Sequence, residues 1–417
     1  MSETSRRGSL LVIFLTVFID LLGFGMVLPL LPIYAKQFAD NPVISIGPLI
    51  GLLMASFSAM QFFFAPVWGR ISDRIGRRPV LMIGLGGSVV FYTIFGLATQ
   101  WSSLTWLFVA RIGAGVAGAT ISTAHAYIAD STSKENRARG MALVGAAFGL
   151  GFTFGPLFGY LALPSGEGDP GPGPGYAAAA LSAVALLLAY FKLPESLTVS
   201  RVTSDRRIFS FSAMADALRT PSIGLLLFAS FVTVLSFANF ESTLSLLIKD
   251  PLGPFDFTFR QVCLVFAFVG FVLTLVQGGI VRRIAGRVAE VYMACGGAVL
   301  EVVGFAMLAW APTTGWLLAA LSIVVSGFAF MTPSLNSLIS RRSDPAKQGS
   351  IMGVTQGASS LARILGPIVG VTLFHVKVAW PLWLAAVLMG ASLVVIALAA
   401  RSGHDYPAAV PQQADVH

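Results

Sequence analysis

The sequence has few charged residues: they make up 11% of its 417 residues, whereas hydrophobic residues make up 56%. A soluble domain carries roughly 25% charged residues, so this chain has too little charge to cover a water-facing surface. The scarcity excludes a soluble enzyme and a disordered regulator, and it predicts an integral membrane protein. At about 20 apolar residues per spanning helix, plus a short connection, the chain accommodates roughly 12 spans and no separate soluble domain.

Cysteine and histidine are also scarce. The two cysteines, Cys263 and Cys295, lie in apolar runs, which excludes a disulfide framework. The four histidines do not form a cluster in the sequence, so we predict no metal site. The sequence contains no phosphate-binding loop and no nucleophile elbow, so we expect neither enzymatic chemistry nor a cofactor.

Apolar segments of helical length alternate with short connections that contain Gly, Pro or charged residues. This pattern predicts an all-α membrane protein with twelve transmembrane helices. The predicted segments are 10–35, 47–70, 79–99, 103–130, 137–163, 175–193, 221–248, 259–282, 288–311, 314–340, 349–375 and 379–400.

The basic residues predict the orientation of the chain in the membrane. One set of connections, together with both termini, carries nearly all Lys and Arg, whereas the opposite set carries only Lys36, Lys249, Arg260 and Lys377. Basic connections remain in the cytoplasm, so we expect both termini there and a multi-pass protein of the bacterial inner membrane. The net charge of +8 is therefore explained by membrane topology, and we do not expect nucleic-acid binding. The expected partners are lipid, protons and a small-molecule substrate, and we expect a monomer.

The two halves of the chain repeat one another. In one register the residues around Gly69 and Arg78 match those around Gly278 and Arg287, and a Gly-Pro-x-x-Gly motif recurs shortly afterwards. The repeat predicts two pseudo-symmetric six-helix halves, residues 1–193 and 221–401. Residues 194–220 form a cytoplasmic linker in this prediction, and residues 402–417 form a cytoplasmic tail. Two like halves around a site at the membrane midplane predict transport by alternating access.

Four segments carry a resemblance to a known family. Residues 69–78, GRISDRIGRR, resemble the signature loop of the major facilitator superfamily, with Ile71 in place of the usual Leu. Residues 111–115, RIGAG, resemble the fourth-helix motif of its drug:proton antiporters. Residues 151–159 resemble the fifth-helix antiporter motif, although Tyr160 replaces its last glycine.

The fourth segment, residues 20–32, looks like the first helix of bacterial tetracycline exporters and their vertebrate tetracycline-transporter-like relatives. Together the four segments imply the major facilitator fold and proton-coupled efflux of drugs. The resemblance also implies that the signature loop forms a cytoplasmic gate that breaks when the inner side opens. The alternative is topogenic charge combined with helix capping. The gate residues in this prediction are Gly69, Asp73, Arg74, Gly76, Arg77 and Arg78.

Small residues recur every four positions in the fifth and eleventh helices. Such stripes allow helices to approach closely in lipid, and a proline within them can bend the helix. Two interpretations stay open: tight static packing, or a hinge between the halves. The residues concerned are Gly151, Gly155, Pro156, Gly159, Gly366, Pro367 and Gly370.

Ionisable residues within the spans are the main indication of a functional site, because a charge near the bilayer centre costs at least about 2.5 kcal/mol. Asp20 lies roughly 15 Å along the first helix, close to the midplane. Arg111 could pair with it only if helix tilt closes a gap in depth. Glu241 and Arg363 either form a salt bridge or act separately on protons and substrate. Glu301, in the ninth helix, is either a buried neutral carboxyl or part of the coupling.

Cavity walls are mostly apolar with a few polar anchors. The candidates here are Phe24, Gln61, Phe237, Asn239, Phe240, Asn336 and Gln356.

The leading hypothesis is a secondary transporter that exports small amphipathic compounds in exchange for protons. Asp20 would bind the proton and Arg111 would favour its release. Glu241 and Arg363 would contact substrate or complete the relay, while Asp73 closes the inner gate. The first alternative is an organic-anion uniporter or symporter, suggested by the two intramembrane arginines. The second is a non-transporting receptor or scaffold.

Overall fold

The computed structural model describes residues 3–38, 45–132, 137–164, 169–197, 221–249, 255–344 and 348–402. Twelve long helices run through these residues. They are α1 Glu3–Val27, α2 Ile46–Ile75, α3 Arg77–Gln100, α4 Leu104–Ser131, α5 Arg137–Ala162, α6 Gly173–Lys192, α7 Pro221–Ile248, α8 Phe259–Ile284, α9 Glu290–Ala309, α10 Thr314–Arg342, α11 Gln348–Val376 and α12 Trp380–Ser402.

The helices confirm the prediction of an all-α membrane protein. Eleven of them are long and apolar enough to cross a membrane, and α5 has 26 residues. The predicted bounds of α7 match the structure, and so do the first residues of α5, α8 and α10. Most other ends differ by a few residues, because helix ends depend on local capping. The predicted linker and tail fall largely on residues 198–220 and 403–417, which lie outside the described residues.

The packing of the helices repeats between the two halves. In the first half α1 packs on α5 and α6, and α3 packs on α4 and α6. In the second half α7 packs on α11 and α12, and α9 packs on α10 and α12. Among the described residues the halves meet mainly through α2 with α11 and α5 with α8, and the short helix Leu31–Phe38 adds a smaller contact with α7. This arrangement confirms two pseudo-symmetric six-helix halves.

The first predicted segment is interrupted in the structure. Helix α1 ends at Val27, three residues form a turn, and a short helix follows at Leu31–Phe38. Pro29 and Pro32 lack a backbone N–H, which explains why a single continuous helix is not formed here. The short helix packs against α7, so the interruption brings the end of the first span to the other half.

Helix α4 is broken at residues 119–120, and side chains of α2 satisfy the carbonyl groups at the break. The Gln61 amide donates to the Gly118 carbonyl at 3.2 Å, and the Trp68 indole donates to the Val116 carbonyl at 2.8 Å. A backbone carbonyl without a partner is costly inside a bilayer. The break is therefore stabilised by the α2–α4 contact.

Two glycines of the α5 and α11 stripes, Gly155 and Gly366, pack closely within their own halves. A Cβ atom on Gly155 would lie 2.6 Å from the Gly25 Cα of α1, and one on Gly366 would lie 2.7 Å from the Ala238 Cβ of α7. These approaches correspond to the packing interpretation of the stripes. Other small residues join the two halves.

The contact between α5 and α8 depends on Gly270 and on a pair of hydroxyl groups. A Cβ on Gly270 would lie 2.6 Å from the Phe152 carbonyl oxygen. Thr153 Oγ1 and Thr274 Oγ1 lie 3.1 Å apart, which joins the halves by a hydrogen bond. The α2–α11 contact is equally close, since a Cβ on Gly51 would lie 2.7 Å from the Ile368 Cα.

We predict that Gly270→Ala lowers the midpoint of thermal unfolding, because the added methyl group overlaps backbone of the opposite half. Overpacking of this kind costs typically about 1 to 3 kcal/mol. Gly278→Ala is the matched control, since a Cβ there has no neighbour within 4 Å. Thermal unfolding in detergent compares the two, and equal midpoints would show that the α5–α8 contact tolerates a larger residue.

Candidate substrate and proton-coupling site

Asp20 lies where α1 meets α3 and α6. The hydroxyl groups of Ser88 on α3 and Ser182 on α6 face its carboxyl group. Its Oδ1 atom is buried and has no hydrogen-bond partner in the part of the chain that the structure describes. A buried polar atom without a partner is costly, and such atoms in a membrane protein indicate a site that changes state.

Arg111, on α4, is held by aromatic rings. Its side chain is buried, with 2% of the residue exposed, and its guanidinium lies 4.6 Å from the Phe57 ring centroid and 5.7 Å from that of Phe24. The Nε and Nη1 atoms have no hydrogen-bond partner among the described residues. The aromatic faces attract the cation, but they leave its donors without acceptors.

Asp20 and Arg111 are not joined by an ion pair within the described residues. Tyr92, on α3, interacts electrostatically with both groups. Ser88, Ser182, Tyr92 and Phe57 were missed by sequence reasoning, because single polar or aromatic residues in apolar helices do not reveal which helix they face. The one available signal is the spacing of Ser88 and Tyr92, four residues apart on one face of α3.

Glu241 and Arg363 lie close enough to interact electrostatically, but they form no ion pair in the structure described. Glu241 is half-buried on α7, whereas Arg363 is exposed on α11. This geometry leaves the guanidinium of Arg363 available to another anion. It fits separate roles better than a permanent salt bridge.

Glu301 is fully buried between α9 and α10. Its exposed fraction is 0%, and neither carboxyl oxygen has a hydrogen-bond partner among the described residues. A Cβ on Gly327 of α10 would lie 2.6 Å from its Cγ, so the side chain occupies space that this glycine leaves free.

Two of the three candidate phenylalanines of the cavity lie on the first helix of each half, Phe24 on α1 and Phe237 on α7. Phe24 is half-buried and lies 4.9 Å from Phe57 between ring centroids. Phe237 is half-buried and stacks on Phe328 at 3.9 Å. These two pairs join α1 to α2 and α7 to α10, so the partner rings come from different helices of the two halves.

The remaining cavity candidates are divided between packing and exposed positions. Phe240 is buried, and Asn239 donates to the Pro381 carbonyl at 2.8 Å, so these two residues join α7 to its neighbours. Asn336 is half-buried on α10, and Gln356 is exposed on α11.

The predicted gate is more helical than the sequence indicated. Helix α2 continues to Ile75, so Asp73 and Arg74 belong to its last turn, and the connection to α3 consists of Gly76 alone. Gly76 has a φ of 107°, which favours glycine. At Gly69 a Cβ would have no neighbour within 4 Å.

Arg77 is the centre of a buried polar cluster at this end. Its Nη1 atom lies 2.5 Å from Asp73 Oδ1 and 2.7 Å from Ser72 Oγ, and its Nε atom lies 3.1 Å from Asp130 Oδ2. The cluster joins the ends of α2, α3 and α4. Charge-assisted bonds of this type are stronger than neutral ones.

Glu195, which follows α6, was not predicted as a gate residue. Its carboxylate accepts hydrogen bonds from the backbone N–H of Arg77 at 2.9 Å and of Arg78 at 3.1 Å. In return, Arg78 donates to the Tyr190 carbonyl of α6 at 2.6 Å. A carboxylate at a helix N-terminus satisfies free donors and is attracted by the helix dipole. The start of α3 is thereby anchored to the end of α6.

The two halves are in closer contact at the end opposite the gate. There the Arg260 guanidinium of α8 donates to the Leu163 carbonyl at 3.3 Å and lies 5.2 Å from the Tyr160 ring centroid of the first half. At the gate end, added Cβ atoms on Gly278 and Gly279 of α8 would have no neighbour within 4 Å. In the structure described, the interface is closed opposite the gate and looser beside it.

Comparisons with known proteins extend these observations. A family model described as Major Facilitator Superfamily matches residues 13–367. A tetracycline resistance protein of class C from Escherichia coli is 32% identical, over 94% of this chain and 96% of that protein. Major facilitator superfamily domain-containing protein 10 from Mus musculus is 29% identical, over 89% and 88% of the two chains. The crystal structure of the human organic anion transporter MFSD10 superposes with a TM-score of 0.71 at 26% identity, covering 95% of this chain and 100% of that one.

We predict that Glu195→Ala destabilises the protein by roughly 0.5 to 1 kcal/mol, because two donors at the start of α3 lose their acceptor. Glu195→Gln is the matched variant, since it keeps one acceptor oxygen and loses only the charge. Its unfolding midpoint should lie between those of the alanine variant and the unchanged protein. An alanine variant as stable as the unchanged protein would show that the anchor contributes nothing.

We predict that Arg260→Ala opens the end of the molecule opposite the gate. Cys263 lies one turn further along α8, is fully buried and faces Gly159 of the first half, so its thiol reports this opening. In a Cys295→Ser background, a thiol reagent should label Cys263 faster in the Arg260→Ala variant. Lys249→Gln is the control, because Lys249 pairs with Asp256 within its own half. Equal labelling rates in both variants would contradict the prediction.

Proposed function

This chain belongs to the Major Facilitator Superfamily and is a membrane transporter, and we propose that it exports small amphipathic compounds in exchange for protons. The observation that carries the proposal is the pair of unpaired buried charges in the first half. Among the described residues, Asp20 Oδ1 has no hydrogen-bond partner, and the Nε and Nη1 donors of Arg111 have no acceptor. The proton gradient supplies the energy, and no cofactor is required.

Asp20 is the proton-binding group in this proposal. Its carboxyl group lies near the midplane and is reached by water only from the side on which the halves separate. Protonation removes the charge and lowers the cost of burial, whereas deprotonation restores a charge that requires water or a cation. Rocking of the halves can therefore couple proton binding on one side to proton release on the other.

The second half provides the substrate contacts in this proposal. Arg363 is exposed on α11 and unpaired within the described residues, and Glu241 lies near it on α7. Aromatic pairs from both halves, at Phe24 and Phe237, supply apolar walls. Apolar walls with a few charged anchors suit a compound that has both characters.

The Arg77 cluster is the gate at the basic end in this proposal. The positive-inside rule assigns that end, with both termini, to the cytoplasm, and we place the protein in a bacterial inner membrane as a monomer. Asp73 pairs with Arg77 at the exposed edge of the cluster. It is available to a helix of the second half when the halves close at this end.

We predict that Asp20→Asn abolishes proton-driven transport but preserves exchange that moves no net proton. In proteoliposomes, an imposed pH gradient should no longer drive tetracycline accumulation, whereas counterflow of labelled against unlabelled tetracycline should continue. Asp256→Asn is the control, because Asp256 is an exposed carboxylate outside the spans. Unchanged gradient-driven accumulation in Asp20→Asn would refute the assignment of Asp20.

A second candidate is transport of organic anions without proton exchange. The exposed, unpaired guanidinium of Arg363 favours it, and one solved relative is described as an organic anion transporter. The two candidates differ in what Arg363 does. Arg363→Ala should abolish uptake of the anion fluorescein if anions bind there, whereas loss of cationic ethidium with retention of fluorescein would exclude this candidate.

A further inference from the structure

We infer that the hydroxyl group of Tyr92 is the connection through which Arg111 acts on Asp20. Tyr92 is a positioning residue in this inference: it orients and stabilises the ionised carboxyl group and does not itself carry substrate. The inference rests on the proposed function of Asp20 as the proton-binding group.

The contact between α1 and α3 places Tyr92 next to Asp20. Gly23 follows Asp20 by one turn on the same face of α1, and a Cβ on Gly23 would lie 3.2 Å from the Tyr92 Cε2 atom. Ser88 precedes Tyr92 by one turn on α3 and faces the Asp20 carboxyl group. The phenol therefore lies one turn beyond Asp20, away from the gate.

The contact between α3 and α4 places Tyr92 next to Arg111. Phe91 occupies the space beside Gly113, and a Cβ on Gly87 would lie 2.8 Å from the Ala117 Cβ. Because the two helices are antiparallel, these contacts bring Tyr92 to the level of Arg111. Tyr92 and Arg111 interact electrostatically, in agreement with this placement.

A gap in depth separates Asp20 from Arg111. The gap is about one helical turn, or roughly 5 Å along the axis. Asp20 Oδ1 and Arg111 Nε and Nη1 all lack partners among the described residues. Of the neighbours that face either group, Ser88 and Ser182 face only Asp20, and the rings around Arg111 cannot accept a strong hydrogen bond. Tyr92 is the described neighbour that interacts electrostatically with both groups, and its ring packs at Gly23, one turn from Asp20.

A phenol hydroxyl can donate one hydrogen bond and accept another. Tyr92 can therefore donate to the ionised carboxylate of Asp20 while its oxygen accepts from the guanidinium of Arg111. Donation to a carboxylate favours the ionised form, and the cation behind the phenol polarises the hydroxyl in the same direction. Arg111 thereby promotes proton release without contacting Asp20.

The described groups that face the Asp20 carboxyl group are uncharged: they are Ser182 on α6 and Ser88 on α3. On α5 Gly151 packs on the adjacent Leu21, and the inner part of α4, which also packs on α1, carries the titratable His125. Among the described residues, Arg111 is the charged group that can act on Asp20 through Tyr92. Removal of the Tyr92 hydroxyl should therefore change the fraction of Asp20 that is protonated at a given pH.

The test measures the proton occupancy of Asp20 without a substrate. A hydrophobic carbodiimide modifies protonated carboxyl groups, and mass spectrometry gives the extent of modification at Asp20 against pH. In Tyr92→Phe the midpoint should move to higher pH by roughly 0.5 to 1 pH unit, because the ionised form loses a hydrogen bond. Tyr176→Phe is the matched control: its hydroxyl bonds to Gln100 and has no contact with Asp20, so its midpoint should not move.

A double variant tests the connection itself. If Arg111 acts through Tyr92, Arg111→Lys alone should shift the pH midpoint of Asp20 modification. The same substitution should add little to the shift when Tyr92→Phe is already present. Each of three results would overturn the inference. They are an unchanged midpoint in Tyr92→Phe, additive shifts in the double variant, and an Asp20 that the carbodiimide never modifies. If Asp20→Asn loses gradient-driven transport but the midpoint in Tyr92→Phe is unchanged, the inference fails and the proposed function stands. Gradient-driven transport that survives Asp20→Asn would refute the function instead.

Discussion

The structure depends on the free-energy cost of placing a polar group in the membrane without a hydrogen-bond partner. Most of the chain avoids this cost by forming helices, in which backbone N–H and C=O groups bond to each other. Where a helix is interrupted, a neighbouring side chain replaces the missing bond, as Gln61 and Trp68 do at the break in α4. Within the described residues, the ionisable groups Asp20, Arg111 and Glu301 are among the buried side chains that have polar atoms without a partner. In the proposed mechanism they are the groups whose partners change during transport, or whose proton is retained.

The helices of the two halves pack in the same way, but the polar groups within them are arranged differently. In both, small residues of the fifth helix of the half allow its first helix to approach within backbone contact. In the register that matches Gly69 to Gly278, Tyr92 matches Glu301, so the third helix of each half carries a polar residue at the same level. The first half surrounds this position with Asp20 and Arg111, whereas the second half buries a carboxyl group there. A repeated scaffold therefore carries two different electrostatic sites.

The contacts between the halves are few and specific. A hydroxyl pair on α5 and α8, close approaches at Gly51 and Gly270, and the bond from Arg260 to Leu163 carry the described interface. At the basic end the cluster around Arg77 and the anchor at Glu195 hold the first half together instead of joining it to the second. This distribution suits a molecule whose halves move as rigid bodies, because the strong bonds lie within each body and the bonds between bodies are separable.

The sequence by itself determined the membrane class, the number of spans, the repeat of two halves and the positions of the intramembrane charges. These properties follow from composition and from hydrophobic runs, which are local and one-dimensional. Tertiary structure decided which charges have partners. It left atoms of Asp20 and Arg111 without partners among the described residues, placed Tyr92 where it interacts electrostatically with both, and brought the Glu195 carboxylate to the start of α3. It also buried Asn239 and Phe240, and it bonded Asn239 to the Pro381 carbonyl. In helices that are apolar all round, the sequence does not reveal the direction in which a side chain points, because that depends on the rotation of each helix against its neighbours.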